Sequence, residues 1–422
     1  MKRYLLTQMR NEWKGNFWLC LELIIVSVAV WVLTLMMCAP MTGLFEPCGF
    51  EYDNVYVADL KRVSEESPEF AMPSDTSAQG RLRAAGNEIR LLMQRIGDYD
   101  WVEAVGVGNN ALPYNYNYSG NNFYALGSRG DTLHFNGNMR IVTPGMAEVL
   151  RYQSLTGQTP AQMRALLGKG EILLAAVPDE DSSYPAPGEL RGLMLRNDAG
   201  SGEWKVGSVI NVVRRTDYEP AYSGTFIIPI DPDNDRNMYY YASNIAIRVK
   251  PGNGGKIMEE LRSNPEFSRQ GNTLVRNFRS LEEVRRLCQW SVDIQLRQCG
   301  AGILCLFVIV FLGLLGTFWF RVQQRVGEIA IRKVAGATEG DIFRRMISES
   351  LFLVAVATLV AWPVCWALLH FDVVVVSRGN AWLPVWCALA VLVMLVVAVL
   401  GGIYFPARRA MKIEPAVALK SE

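Results

Sequence analysis

The chain has 422 residues, 42 Lys+Arg against 41 Asp+Glu, two His, eight Cys and half its residues hydrophobic. Charged residues make up 20%, below the roughly 25% of soluble proteins, and mean hydropathy is +0.12. A net charge of +1 gives no basic field for nucleic acid, and two His without Cys-x-x-Cys or HExxH leave no zinc pattern. Collagen-like, coiled-coil and wholly disordered compositions are excluded too, which leaves a membrane protein carrying a large folded part.

The apolar excess falls in four blocks, 17–37, 299–320, 351–371 and 382–405, of 21, 22, 21 and 24 residues. A bilayer core needs about 20. Three blocks lack Asp, Glu, Lys and Arg; the first holds only Glu22, an intramembrane acid and so a site candidate, against snorkelling or a helix–helix hydrogen bond. The first block is longer than a signal-peptide core and no A-x-A follows it, so it reads as a retained anchor. Lys and Arg number four in 1–16, six in 321–350 and four from 406 onward, against Arg378 alone in 372–381. The positive-inside rule then places the N-terminal segment 1–16, the 321–350 loop and the 406–422 tail in the cytoplasm, and residues 39–298 outside.

In that large segment, 54–58 reads as a strand. A helix follows with Ile89, Leu92, Met93 and Ile96 on one face, then a strand at 102–107. The order recurs near its end: a strand at 244–250, a helix over 256–262 with Ile257, Met258 and Leu261 inward, and a strand at 273–278. Two βαβ-like units therefore bracket the segment as an α/β base. The middle, about 110–240, is rich in Gly, Asn, Pro and Tyr, with strands at 171–176 and 226–230, and reads as an inserted, mainly β subdomain. Its Asn/Tyr-rich stretch 109–124 is either a binding loop or a solvated hairpin. Residues 280–298 continue as a stalk helix into the second span. The fold class is thus four transmembrane helices plus a large extracytoplasmic α+β domain. Cys48 and Cys288 lie just after the first span and just before the second, where a disulfide and two free thiols are both open.

No P-loop, GxSxG or GxGxxG pattern occurs; Gly168-Lys169 has Met163 where the first P-loop glycine belongs. The chain is read as a non-catalytic subunit that binds no cofactor or metal itself. In the 321–350 loop, Val322, Val326 and Ile329 share a helical face, Gly336 suits a left-handed stop, and Thr338 with Asp341 approximates a capping box. Such an amphipathic helix lies on the bilayer or docks into a partner's groove.

Gly327-Glu328-Ile329-Ala330-Ile331-Arg332-Lys333-Val334-Ala335-Gly336-Ala337-Thr338, with Asp341-Ile342-Phe343 and Glu349-Ser350 after it, resembles the signature of FtsX/MacB-like ABC transporter permeases. Tyr404–Ala410 with Glu414–Leu419 is similar to that family's C-terminal motif, and Val142-Thr143-Pro144-Gly145 to a segment of its periplasmic core domain. The resemblance implies a permease that pairs with a second copy or a paralogue, and that docks on a separate ABC ATPase dimer carrying ATP and Mg. It places the complex in a bacterial inner membrane, where a periplasmic adaptor and an outer-membrane channel are further partners. The loop would be the coupling helix, with Gly327, Glu328, Ile329, Arg332, Lys333, Gly336 and Ala337 as its candidate residues. ATPase strokes would move the outer domain by mechanotransmission, for export of a peptide, antibiotic or lipoprotein. The alternatives are a non-transporting regulator of an extracytoplasmic enzyme such as a cell-wall hydrolase, and a receptor without an ATPase.

Overall fold

The structure is a computed structural model that describes residues 13–115, 119–127, 132–175, 186–197, 202–218, 224–371, 373–374 and 381–411. The helices used below are α1 (Trp13–Met41), α2 (Ala78–Gly97), α3 (Met146–Leu150), α4 (Pro160–Gly168), α5 (Asp235–Tyr241), α6 (Gly254–Ser263), α7 (Leu281–Gln324), α8 (Val326–Val334), α9 (Glu339–His370) and α10 (Leu383–Met411). The strands are β1 (Val55–Arg62), β2 (Val102–Asn109), β3 (Gly120–Leu126), β4 (Thr132–Val142), β5 (Ile172–Ala175), β6 (Met194–Asn197), β7 (Glu203–Val209), β8 (Gly224–Pro229), β9 (Asn244–Val249), β10 (Arg269–Gln270) and β11 (Thr273–Ser280). They divide into a helical unit, residues up to 42 with those from 291, and an α+β unit, residues 43–290.

In the helical unit α1, α7, α9 and α10 are each long and apolar enough to cross a membrane. Leu23, Val30, Trp31 and Leu35 of α1 pack with Leu353 and Ala357 of α9 and with Val391, Leu395 and Val399 of α10. The outer faces are apolar as well: Leu304, Leu312, Leu359 and Val393 are exposed. Apolar side chains on both faces suit a hydrocarbon surround rather than water. The predicted stalk and second span are one helix, α7, 44 residues long with no proline inside.

The α+β unit carries both predicted βαβ pairs. Its base orders the strands β10-β11-β1-β9-β2, with each neighbouring pair among β11, β1, β9 and β2 antiparallel. That is the split β-α-β arrangement, in which each crossover helix returns to one face of the sheet. Ile89, Leu92 and Ile96 of α2 and Ile257 of α6 are buried on that face with Ile245 and Ile247 of β9. Met258 departs from expectation: it is 44% exposed, because only Ile257 and, in part, Leu261 face the sheet. The opposite face is covered by α3 and α4 through Met146, Leu150, Met163 and Leu167.

The inserted middle is a closed barrel. Strands run β4-β3-β6-β7-β5-β8, and β8 returns to pair with β4 in parallel, from Gly137–Gly224 to Val142–Pro229. A Cβ on Gly137 would come within 2.6 Å of the Gly224 backbone, so the seam closes only on glycine. Phe123, Phe135, Leu174, Leu195, Val206 and Phe226 fill the interior. The 11-residue strand β4 also pairs with β2 at Gly108 and Asn109, so base and barrel share it.

Candidate functional site

Two constructions stand out, one in each unit. The first is the turn from α7 through α8 into α9. The α7 helix ends at Gln324, and α8 restarts at Val326 with its inner side on Val322, Ile329 and Ile342. Its end is a Schellman stop: the Gly336 N–H donates to the Lys333 carbonyl and the Ala337 N–H to the Arg332 carbonyl, with Gly336 at φ +93°. Thr338 then caps α9 in a full capping box, its hydroxyl accepting from the Asp341 N–H while the Asp341 carboxylate accepts from the Thr338 N–H. The cap hydrogen bonds hold the exposed Asp341 carboxyl below the usual carboxylate range.

The predicted residues gather here, with different duties. Glu328 and Arg332 form an ion pair one turn apart, and Lys333 is largely covered, 3.9 Å from Glu339. Ile329 is buried. Ile331 and Val334, 61% and 67% exposed, form an apolar strip on the other side of α8. Sequence reasoning had not singled them out; their spacing of three, out of phase with Ile329, is the signal that marks them. Behind α8 lies a cavity of about 640 Å³ between the end of α7, α8 and the first turns of α9.

The second construction lies in the α+β unit, where residues 43–52, Tyr114, the 211–218 segment and the start of α7 meet around Asp217. This carboxylate, 8% exposed, accepts from Arg285 Nε of α7 at 2.6 Å, Tyr114 Oη at 3.0 Å and Cys48 Sγ at 3.5 Å. Burial alone would raise the Asp217 pKa, but the neighbouring Gln289 amide, Arg285 and Tyr114 more than offset it and hold it below the usual carboxylate range. Burial, then the Asp217 charge, pushes the Cys48 thiol and the Tyr114 hydroxyl up, so both stay protonated donors. Arg214, 3% exposed, donates to the Gly43 carbonyl at 2.6 Å, the Glu46 carbonyl at 3.0 Å and the Asp217 carbonyl at 2.9 Å. The 211–218 segment thereby ties the chain just after α1 to the first turns of α7.

Cys48 and Cys288 are not bridged: Cys48 Sγ faces the Asp217 carboxylate at 3.5 Å and Cys288 Sγ the Arg215 carbonyl at 3.9 Å. The first half of the 109–124 stretch is packed against the domain rather than solvated. Asn110 and Tyr114 are buried, and the Leu112 carbonyl accepts from Arg140 Nη1 at 2.7 Å. Residues 116–118 lie outside the described residues. Burial pushes the Arg140 guanidinium down to about 10.

Glu22 is half-buried on α1 beside a notch in α7; a Cβ on Gly313 would come within 2.8 Å of its Oε1. Of the other α7 glycines, Gly302 meets Leu33, while Gly300 and Gly316 meet nothing within 4 Å among the described residues.

Residues 300–415 match the FtsX-like permease C-terminal family. The chain is 25% identical over 184 residues to a probable export ATP-binding/permease protein of Pseudomonas fluorescens (strain Pf0-1). It is 26% identical over 177 residues to the macrolide export ATP-binding/permease protein MacB of Chromobacterium violaceum. Each match covers 42% of this chain and 27% of the relative, so the chain spans about a quarter of their length. Among solved structures, the extracellular domain of the noncanonic ABC-type transporter YknZ from Gram-positive bacteria aligns over 52% of this chain and all of that one, with 11% identity and a TM-score of 0.29. The chain therefore carries an FtsX-like permease C-terminal domain and is a distant relative of MacB-type export permeases.

Proposed function

We propose that this chain is the membrane subunit of an ABC-type exporter, which receives force from an ATPase at α8 and delivers it through α7 to its α+β unit. The observation that carries this reading is the α8 turn: a nine-residue helix, closed by a Schellman stop and followed at once by the capping box of α9, offering an exposed apolar strip. An amphipathic helix of this kind suits a hydrophobic groove on a partner. In this reading α8 faces the cytoplasm, an orientation that the charge count of the flanks supports, and the α+β unit lies outside a bacterial inner membrane. The partner ATPase supplies ATP and Mg, and a second permease copy or paralogue completes the pair. The Asp217 construction supports transmission, because it fastens the start of α7 to the unit that has to move. The relatives' names point to export, and the cargo class remains a peptide, antibiotic or lipoprotein handled outside.

The test is a mild-detergent pull-down from native membranes, comparing wild type with Glu328→Lys/Arg332→Glu. An ABC ATPase that accompanies the wild type and is lost from the variant supports the reading. Equal recovery with both, or no ATPase with either, overturns it.

A further inference from the structure

Among the described residues the α+β unit buries three arginines, and two of them have an acidic residue beside them. Arg248, 3% exposed, has the Glu51 carboxylate at 3.7 Å, and Arg214 donates to the backbone of Asp217. Arg140 of β4 is buried more deeply, at 1% exposed, and the groups that act on its charge are the Tyr152 phenol and a second cation, Arg215, with no carboxylate among them. Its Nη1 donates to the Leu112 carbonyl at 2.7 Å and more loosely to the Asn110 and Ala111 carbonyls, both at 3.4 Å. The guanidinium is thus anchored at one end, while its Nε meets no hydrogen-bond partner. Neither does Tyr152 Oη, on a side chain that is 2% exposed.

Three pieces of chain meet around this guanidinium. Its own strand, β4, is shared by base and barrel; the 110–112 turn follows β2; and Tyr152 follows α3, packed in one core with Ala111 and Tyr114. A buried charge is costly without a counter-charge, so buried cations are found paired. One cation and one hydroxyl with unspent protons, in electrostatic contact with each other, are what a small anion requires. Phosphate or sulfate would bring four oxygens to two donors in a place closed to water. Asn110 Oδ1 is an unmet acceptor on the same turn, because its Nδ2 is committed to Asn138 Oδ1 at 2.8 Å and the Met139 carbonyl at 3.1 Å. A water carried in with the anion can donate to both.

We propose that Arg140 and Tyr152 bind a single chloride-sized, monovalent anion inside the α+β unit. Arg140 Nε supplies the charge-assisted contact and Tyr152 Oη the second one. The ion offsets the Arg140 charge and ties the strand shared by base and barrel to the end of α3. The assignment uses neither α8 nor an ATPase, so it stands apart from the export reading.

The test is thermal unfolding of the full chain in detergent, titrated with potassium chloride against potassium gluconate at constant ionic strength. The melting temperature should rise with chloride and saturate, by about 4 °C at ten times the dissociation constant. Tyr152→Phe keeps the charge and should move the chloride midpoint up about tenfold, the loss of one hydrogen bond to a charged group. Arg140→Met should remove the chloride dependence. Arg164→Met, which takes a charge from the surface of the same unit, should keep it. Wild-type crystals grown in bromide should show anomalous scattering beside Arg140 Nε, a readout that holds even where a variant fails to fold. Equal melting in chloride and gluconate would overturn the proposal, as would an unsaturated rise that sulfate reproduces. So would a chloride response that both Tyr152→Phe and Arg140→Met leave unchanged, or bromide found only elsewhere.

Discussion

The Asp217 construction and the α8 turn both join a membrane-spanning helix to what lies beyond it, and they are built in opposite ways. Around Asp217 the polar groups are densely hydrogen-bonded and mostly buried: one carboxylate meets a guanidinium, a phenol and a thiol, and Arg214 donates to three carbonyls. Around α8 the core is three buried side chains, Val322, Ile329 and Ile342, with a cavity behind and an apolar strip in front. A buried network of this density resists rearrangement because each broken bond leaves an unpaired group. A small core with surfaces on both sides costs little to shift and has room for partners. One junction is built to hold; the other is where, in the proposed function, a partner grips.

This contrast can be broken by experiment, and the largest effect is expected at the gripping end. Ile331→Asp/Val334→Asp should abolish capture of the ATPase in the pull-down, while the melting temperature of the purified chain stays near wild type. A comparable loss of stability would mean that the strip is structural. Next in size is Asp217→Asn, which strands the Arg285 guanidinium in a partly buried site. Denaturation of the full chain should show a loss of about 3 kcal/mol, with ATPase capture unchanged. If capture fell and stability did not, the roles of the two junctions would be reversed.

Smaller effects sharpen the description of α8. Gly336→Ala places a Cβ at φ +93° with open space around it, so its cost is backbone strain of about 1 kcal/mol. Thr338→Ala removes the cap on α9 for a similar cost of about 1 kcal/mol. Both are expected to weaken ATPase capture by loosening α8, and Thr338→Ser should restore it. The smallest effect is the pH dependence at Asp217. Its folded pKa lies below the unfolded value, so its contribution is fully present above about pH 5 and lost as pH falls through the folded pKa. A wild-type stability curve that falls more steeply in acid than that of Asp217→Asn is the expected result; parallel curves would remove Asp217 from the account.

How much of this was legible beforehand follows from the range of the interactions. The four spans, α8 with its Gly336 stop, and the Thr338–Asp341 box are local patterns, written within one helix or turn. The base was readable for the same reason, since Ile89, Leu92 and Ile96 repeat with helical period beside alternating strands. Barrel closure was not, because the β4–β8 pairing joins residues far apart and leaves no mark in either strand beyond Gly137 and Gly224. The Asp217 construction was hidden for that reason too: Cys48, Tyr114, Arg214 and Arg285 lie on four separate stretches. Within the turn, Glu328, Arg332 and Lys333 were found as charges, but the exposed strip was missed because apolar residues in a short amphipathic helix are first assigned to its buried side.

Closure of the sheet also dictates an order of assembly. The base strand β1 pairs with β9 and β11, so the first strand made must wait for two of the last. The barrel likewise stays open until β8 reaches β4. A chain threaded outward from its first span would therefore emerge with unpaired strand edges, and cannot bury them until residues near 280 have followed. Long-range pairing of this kind folds slowly and exposes those edges meanwhile. Biogenesis of this protein should thus depend on a holding chaperone at the outer face more than its finished stability would suggest.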